Sequence, residues 1–366
     1  MYVDLWGWFR QYEYHALSKG DTTRRRLVTL AREGWRYREA ADADRAILTF
    51  KQAAAIATQL NEPCWVLFHN YWVAEMMFYL QHDYQGTLDY IIRLTAEARK
   101  DLYETCPVRS RVFFVLANIY YMIDFYGYEQ QVIDVLDYIE NEVIMDKDTH
   151  MRVLHMRAQI HFDYDRFDDA QSQTQEMLNR TPFNAFRQRS GYHMLRAIAY
   201  AKGDVQLAYD YADIAEDYAM RIQIQRSIAE GKLWKAVYLQ RLNRLADAYI
   251  MYKKALNHYD RYNLPKEVAF HDASSEFAEL NGEVDEAIAH REQLITQTAD
   301  SASLYNQMVA QWQYLRTLGR LGKPLNTALA NAKSLATDMQ NPTVYLQKIT
   351  DIEQGNYYEY PWQAEM

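Results

Sequence analysis

Histidine and aspartate side chains between residues 150 and 169 have the types that could bind a metal ion. His150, His155 and His161 are five and six residues apart, whereas two ligands on one helical face are normally four apart. The acidic segment 163–169 superficially resembles a cation loop, but it lacks the glycine and the distal glutamate of a calcium loop. Aspartates also suit a helix start, where the helix dipole stabilises them. We favour that role, and we expect no metal site and no cofactor.

Sequence motifs of enzymes are missing as well. The chain has no nucleophile elbow, no glycine-rich phosphate loop and no paired carboxylates in a plausible cleft. The basic cluster 24–26 could bind a phosphate or an acidic partner, although a solvated helix start is the favoured interpretation. The sequence therefore predicts a protein that is not an enzyme.

Few glycines and prolines interrupt the chain, with 12 and 7 among 366 residues. Such a composition disfavours an all-β or loop-rich protein and favours long, uninterrupted helices. Hydrophobic residues make up 49% of the sequence, which is enough to build a core. Tyrosine is unusually frequent at 31 residues. Its ring suits helix interfaces and binding surfaces alike, because the hydroxyl can stay hydrated.

Charge, cysteines and targeting signals narrow the range of partners and compartments. A net charge of −9 argues against a general nucleic-acid binder. Cys64 and Cys106 provide neither metal-ligand spacing nor a disulfide framework, so we expect a reduced, cytoplasmic setting. The first ten residues contain Asp4 and lack a basic segment before a long apolar one, so we expect no signal peptide there, and no apolar run reaches the ~18–20 residues of a membrane span. We therefore expect no membrane partner.

An alanine recurs at one position of a repeated pattern, at Ala170, Ala208, Ala248 and Ala287. Successive members are 38, 40 and 39 residues apart. A steady spacing near 40 residues, with two helices per repeat, is typical of a helical solenoid. Stacked hairpins bury the apolar faces that a single hairpin would leave exposed. The sequence thus predicts an all-α fold of about eight helical hairpins.

The eight predicted repeats follow a first helix at 2–18. They cover about 23–60, 64–100, 107–145, 148–180, 184–222, 225–262, 266–299 and 302–338. The break inside the third repeat, at 126–128, is two or three residues out of phase, so we expect a local insertion there. A last helix near 342–353 precedes a polar, aromatic tail. The predicted organisation is an N-terminal capping helix (1–22), one continuous array (23–338) and a C-terminal capping helix with a tail (339–366).

The repeats resemble those of the tetratricopeptide repeat (TPR) family. Its pattern of Gly and Tyr on the first helix, a Gly-Asp type turn and alanines on the second helix is matched at Gly34, Tyr37, Ala46, Phe50, Ala53, Ala117, Tyr120, Gly203, Asp204, Ala208, Ala212, Ala215, Ala236, Ala248, Tyr252, Ala255, Gly282 and Ala287. The resemblance covers roughly 23–338 and implies a right-handed α-solenoid. Repeats near 40 residues exceed the ordinary 34 of this family and are similar to arrays in bacterial signalling and transcription regulators, including peptide-pheromone receptors. About 20 residues precede the first repeat, so we expect no helix-turn-helix domain.

In such arrays the first helix of each repeat lines a concave groove. The resemblance then implies that the groove of repeats one to five receives aromatic and donor side chains, namely Trp35, Arg38, His69, Trp72, Met76, Tyr79, Arg111, Phe114, Asn118, Tyr121, Arg152, His155, Gln159, Phe162, His193 and Tyr200. An amide such as Asn118 can bond both backbone groups of an extended peptide, and arginines can hold a carboxylate with two hydrogen bonds. Alternatively, many of these aromatic side chains pack against the next helix.

Charge is distributed unevenly along the chain. Residues 129–176 contain 12 acidic and 4 basic side chains, whereas residues 221–261 contain 9 basic and 3 acidic ones. Such asymmetry can steer a partner or pair two copies head to tail. More often, however, charged runs form solvated faces.

Two functions of different classes fit these observations. The first is a non-enzymatic module that binds a peptide or protein segment in the groove of repeats two to five. The second is a structural subunit of a larger assembly, or a regulatory subunit that controls an enzyme partner, for which a homo-oligomer is compatible. Neither interpretation identifies the ligand or the pathway.

Overall fold

The computed structural model describes residues 2–299 and 303–364, which form eighteen α-helices. The helices are α1 (Leu5–Ser18), α2 (Thr22–Glu39), α3 (Ala43–Gln59), α4 (Pro63–Tyr79), α5 (Tyr84–Ala98), α6 (Arg109–Asp124), α7 (Glu129–Glu142), α8 (Lys147–Asp163), α9 (Phe167–Arg180), α10 (Ala185–Ala201), α11 (Val205–Arg221), α12 (Gln225–Arg241), α13 (Leu245–Arg261), α14 (Val268–Leu280), α15 (Val284–Ala299), α16 (Leu304–Arg320), α17 (Asn326–Thr337) and α18 (Pro342–Glu353). Helices α2 to α17 form eight consecutive pairs, and α1 and α18 flank them. The predicted all-α helical-repeat fold is therefore confirmed.

Short turns with a left-handed residue separate the helices of several pairs. Ala41, His82 and Gly203 have φ of 56°, 54° and 83°. Each is followed by an aspartate whose side chain caps the next helix; the Asp204 carboxylate, for example, accepts a hydrogen bond from the Leu207 N–H at 3.0 Å. A left-handed residue ends one helix and the aspartate satisfies the free N–H groups of the next. This chemistry explains why the breaks were visible in the sequence.

Small residues let the two helices of a pair approach closely. Ala46 and Ala53 of α3, and Ala248 and Ala255 of α13, are fully or almost fully buried. At Gly34 of α2, an added Cβ would lie 2.6 Å from the Phe50 ring of α3. The alanines of the repeat are thus packing positions, as the pattern predicted.

The described helices pack as two compact units, whereas the sequence predicted one continuous array. The N-terminal unit comprises the described residues up to 153 together with 303–305, and the C-terminal unit comprises 154–299 and 306–364. The division falls within α8, which no composition shift marks. The single domain over 23–338 stays a prediction.

The expected insertion in the third repeat is wrong. Residues 125–128 are the whole connection between α6 and α7. Extra residues instead precede α6, where 99–108 include a short 3-10 helix, Asp101–Tyr103. The sequence pattern placed the irregularity within the repeat because the longer connection before α6 shifts the phase of the third repeat.

Cys64 and Cys106 form a disulfide bond, with their Cα atoms 5.2 Å apart. The expectation of no disulfide is therefore wrong. Cys64 lies in the first turn of α4, and the connection 99–108 folds back so that Cys106 reaches it. A sequence separation of 42 carries no signal of this contact. The bond also removes one argument for a reduced compartment, because stable disulfides are rare in the cytosol, and a cytoplasmic location stays a prediction.

Across the described residues, no helix combines the length and the apolar character that crossing a membrane requires.

Candidate functional site

Three of the side chains predicted to face a groove lie in the core of the N-terminal unit. His69 and Met76 are fully buried, and Trp72 is 5% exposed. The Trp72 ring stacks on Phe50, with 5.9 Å between centroids. These three side chains are covered because α4 packs against α3, α5 and α6 and is apolar on all its faces, and their part in ligand binding stays a prediction. Without a polar face, the sequence does not reveal which side of a helix is covered.

Burial also sets the chemistry of His69. Its ring lies against Phe68 and Trp65, at centroid distances of 5.3 and 5.7 Å. Neither ring nitrogen has a hydrogen-bond partner among the described residues. Burial in this apolar cluster lowers the pKa of His69 to about 3, so the imidazole is neutral at physiological pH.

Arg111 and Arg152 are occupied by carboxylates of their own unit. The Arg111 guanidinium donates to both oxygens of Asp146, at 2.8 and 3.1 Å. Arg152 donates to Asp148 at 3.0 Å and lies 3.6 Å from Glu75. Phe114, also predicted for the groove, is buried beneath Arg152. A ligand carboxylate would have to compete with Asp146 for Arg111 and leave that buried partner unpaired, so ligand binding by Arg111 stays a prediction.

Other predicted side chains of this unit remain accessible. Tyr79 is 45% exposed, and its hydroxyl accepts a hydrogen bond from the Asn118 amide at 3.1 Å. Tyr121 is partly exposed and lies beside Tyr305. Arg38 is exposed over the Trp72 ring, and Trp35 is half-buried beside it. The exposed members of the predicted set are thus polar or amphipathic.

In the C-terminal unit, the first helices of successive repeats carry a band of charged and aromatic side chains. We call this the first-helix surface; it consists of Arg196 and Tyr200 of α10, Trp234, Tyr238 and Arg241 of α12, Asp272 and Glu276 of α14, and Gln313 and Arg320 of α16. These side chains line a cavity of about 190 Å³, together with Phe162 and residues 358–360 and 363. Of the predicted residues, Tyr200 and Phe162 belong to this cavity. His155 and Gln159, on α8, do not line it, and Gln159 donates to Asp163 at 3.1 Å.

Hydrogen bonds and ion pairs connect the helices of this surface. The Tyr200 hydroxyl donates to Glu276, which also pairs with Arg241 at 3.1 Å. Arg320 pairs with Glu279 through two hydrogen bonds, and Arg291 pairs with Asp272. Burial, followed by the Glu276 carboxylate, raises the pKa of Tyr200 far above its usual value. The phenol therefore stays a hydrogen-bond donor at neutral pH.

Arg196 differs from Arg241, Arg291 and Arg320 because no carboxylate pairs with it among the described residues. Its side chain is 7% exposed and donates to the Tyr238 hydroxyl at 2.7 Å. The guanidinium lies 4.9 Å from the Trp234 ring centroid, and its Nε has no hydrogen-bond partner within the described part of the chain. The positive charge of Arg196 chiefly holds the pKa of His193 well below its usual value. Arg196 is thus a buried cation that can accept an anionic group.

Residues 355–364 after α18, which we call the C-terminal segment, lie on this first-helix surface. The Tyr357 ring packs on Gly319, where an added Cβ would lie 2.1 Å from it. Arg320 donates to the Tyr357 carbonyl at 2.7 Å. Tyr360 is 9% exposed and belongs to the same core cluster as Tyr200.

The end of the segment is anchored on α10. The Trp362 indole donates to the Ala201 carbonyl at 3.1 Å, and its ring meets Tyr200 edge-on at 5.2 Å. Arg241 lies over the Trp362 ring at 5.7 Å. The closest atom to a Cβ added at Gly203 would be Trp362 Cγ, at 3.1 Å. Glycine at position 203 therefore allows both the left-handed turn and the close packing of the Trp362 indole.

Sequence reasoning described the tail as polar and aromatic but assigned it no site. The available signal was four aromatic residues within six positions, at 357, 358, 360 and 362. Repeat patterns carry no information on where a segment outside the repeats will pack.

Charged stretches singled out in the sequence are largely neutralised by neighbours. Lys235 pairs with Asp213 and Glu216, at 2.8 and 2.6 Å, and Arg24 pairs with Asp21 and Glu62 at 2.6 and 2.7 Å. Asp168 and Asp169 lie in the first turn of α9, as the helix-start interpretation predicted. Within the described ranges, no three His, Cys, Asp or Glu side chains are grouped so as to hold a metal ion.

Comparisons with known proteins bear on the fold. No protein-family model matches the sequence, and no curated protein sequence matches it. A solved structure described as a Rap protein complexed with Competence and Sporulation Factor is similar, with a TM-score of 0.53 and 13% sequence identity. The similarity covers 91% of this chain and 83% of that one. It shows that this chain has a TPR-like helical-repeat fold like that of the Rap protein.

Proposed function

We propose that this protein is a non-enzymatic module that binds a peptide or protein segment on the first helices of its repeats. The observation that carries the proposal is the C-terminal segment, a stretch of peptide outside the repeats that lies on α10, α12 and α16 and ends in a 3-10 turn, Pro361–Ala364. Arg320 donates a hydrogen bond to the backbone carbonyl of Tyr357, and Gln313 donates one to the carboxylate of Glu359. The Trp362 indole donates one to the Ala201 carbonyl. A separate peptide can make the same kinds of contact.

The surface has the chemistry that peptide recognition needs. The partly exposed Trp234 lines the cavity together with the largely covered rings of Tyr200 and Tyr238, and Arg196, which also lines it, offers a cation for a carboxylate of the ligand. Helix packing already positions these groups, so little conformational entropy of the receptor is lost on binding. That the Rap protein of similar fold is described as complexed with Competence and Sporulation Factor also supports a binding role.

The N-terminal unit contributes a second contact region in this proposal. Arg38, Tyr79, Asn118 and Tyr121 remain exposed or partly exposed on first helices. The predicted set of groove residues is thereby reduced, since His69, Trp72, Met76, Phe114 and Arg111 are buried. The accessible members Tyr79, Asn118 and Tyr121 lie in repeats two and three, and Arg38 lies in repeat one.

Selection of a random peptide library on the full chain tests this proposal. Trp234→Ala and Arg196→Gln should each weaken the selected peptides by about tenfold or more, as substitutions of buried binding anchors do. The matched control is Tyr249→Ala on the second helix α13, where the ring is 58% exposed. Equal losses in the control, or failure to select any peptide, would contradict the proposal.

An assembly or regulatory subunit remains the second candidate, and one observation favours it. Leu245, Tyr249 and Ile250 of α13 are between 52% and 58% exposed, which leaves an apolar stripe on a second helix. In this case α13 would pack on another protein or on a second copy. Light scattering of the full chain and of its Tyr249→Glu variant tests self-assembly through this stripe. The idea expects an oligomer for the wild-type chain and a monomer for the variant, and a monomer mass for both would contradict self-assembly.

A further inference from the structure

The C-terminal segment is held less extensively than the helices beneath it. Glu359 and Pro361 are exposed, Trp362 is partly exposed, and Gly355 and Asn356 before them are exposed as well. The hydrogen bonds that tie the segment to α16 and α10 involve the Tyr357 carbonyl, the exposed Glu359 carboxylate and the Trp362 indole, and of its side chains Tyr360 and Gln363 are buried. Segments with few buried contacts open at a lower free energy than the core.

Part of the segment's order is internal. The Gln363 side-chain oxygen accepts hydrogen bonds from the Glu359 and Tyr360 N–H groups, both at 3.1 Å. This closes a turn that places Tyr360 and Trp362 side by side against Tyr200, at ring distances of 6.2 and 5.2 Å. The segment therefore behaves like a preformed ligand joined to the array by an exposed linker.

A cavity of about 190 Å³ remains between the segment and the first helices. Tyr358 and Glu359 of the segment line it on one side, and Arg196 and Arg241 line it on the other. Structural packing of a terminus normally leaves few voids larger than a water molecule. The segment thus covers the first-helix surface without filling it.

We infer that the C-terminal segment is an internal ligand, which a partner peptide of similar chemistry must displace to bind. The inference rests on the proposed function and names the ligand class: a peptide with two aromatic side chains two residues apart, preceded by an acidic residue and able to form a short 3-10 turn, as in Glu359-Tyr360-Pro361-Trp362. Such a peptide reproduces the contacts with Gln313, Tyr200 and the Ala201 carbonyl. Covalent attachment gives the segment an effective concentration on the order of millimolar, so it competes strongly with a free peptide.

The experiment uses a labelled synthetic peptide with the sequence of residues 355–364, blocked at both ends, and the full chain carrying Trp362→Ala. Weakening the internal competitor should raise the affinity of the peptide about tenfold or more relative to the wild-type chain, because apparent affinity scales with the open fraction. A peptide in which Trp362 is replaced by Ala should not gain affinity. The chain carrying Phe183→Ala, an aromatic residue that is 100% exposed between α9 and α10, should bind the peptide as the wild-type chain does. Equal affinity for the wild-type and Trp362→Ala chains would overturn the inference.

If the Trp362→Ala chain loses helical content, its peptide affinity does not report on the segment alone, and a second variant is used instead. A protease site placed between Gln354 and Gly355, in the exposed linker, leaves the contacts of residues 357–364 with the first helices intact until the folded chain is cut, and changes only the backbone hydrogen bonds of Gly355 and Asn356 to the end of α18. After cleavage, the inference expects the fragment to dissociate on dilution while the circular dichroism of the array is unchanged. Unfolding on release, or a fragment that stays bound through gel filtration, would make the segment a structural part and contradict the inference.

The same cleaved chain separates this inference from the proposed function. Library peptides that bind the cut and uncut chains with equal affinity would contradict the internal ligand and leave the peptide-binding function standing. If no peptide binds the cut, folded chain, the proposed function is wrong as well.

Discussion

Gly34 shows how a single residue type sets the distance between two helices. Its position on α2 faces the Phe50 ring of α3, which is fully buried. A methyl group there would lie 2.6 to 2.9 Å from three atoms of that ring. A rigid ring inside a packed core yields little, so the close approach requires glycine.

Replacing Gly34 by Ala should lower the free energy of unfolding by about 1–3 kcal/mol through overpacking. Urea unfolding followed by circular dichroism measures this. Gly231→Ala, in the interior of α12, is the matched control, because its nearest neighbour would be Glu216 Cβ at 3.6 Å. There the higher helix propensity of Ala should instead add up to about 1 kcal/mol. A stabilised Gly34→Ala variant would show that the α2–α3 contact is looser than described.

At the scale of elements, helix position was predictable and helix orientation was not. Turn residues and capping aspartates mark where α3, α5 and α11 begin. For α4, however, no polar stripe distinguishes one face from another, and the family phase assigned His69, Trp72 and Met76 to a groove although they are buried. The orientation of such a helix depends on the residues of α3, α5 and α6 that pack on it.

The disulfide bond joins the start of α4 to the connection before α6, two elements that the sequence does not link. The bridged cysteines are 42 residues apart, and closing a loop of that length stabilises the folded state by about 4 kcal/mol in the chain-entropy description. We expect Cys64→Ser to lower the urea midpoint accordingly, and reductant to do the same to the wild-type chain. Reductant should leave Cys64→Ser unchanged. Titration of two free thiols in the untreated, unfolded protein would contradict the bond.

At the scale of the whole molecule, buried neutral histidines occur in both units. Burial lowers the pKa of His69 to about 3, and burial followed by the charge of His271 lowers that of His290 to about 4. In the unfolded chain both imidazoles would bind a proton near pH 6.5. Between pH 6.5 and 4 the unfolded state therefore binds more protons, and stability falls as the pH falls.

Each of these histidines should cost about 1.4 kcal/mol of stability per pH unit below 6.5, until its folded-state pKa is reached. Urea unfolding at pH 7, 6, 5 and 4 measures the slope. His69→Phe keeps a ring in the aromatic cluster and removes one titrating group, so it should reduce the slope of unfolding free energy against pH by about 1.4 kcal/mol per pH unit. Trp72→Phe, which alters the same aromatic cluster without removing a titratable group, is the control and should leave the slope unchanged. An unchanged slope in His69→Phe would mean that His69 is protonated in the folded state.

The sequence by itself determined the all-α class, the eight helical hairpins and most helix bounds, because capping, turn conformation and alanine packing depend on residues close in the chain. Tertiary structure alone decided which first-helix side chains are covered, that Cys64 meets Cys106, and that the C-terminal segment packs between α10 and α16. These contacts join residues 42 to 161 positions apart, and no local periodicity encodes them. The candidate site therefore moved from the predicted aromatic residues of α4 and α6 to a surface of which Tyr200 was the predicted member, while Arg196 and Trp362 emerged from packing.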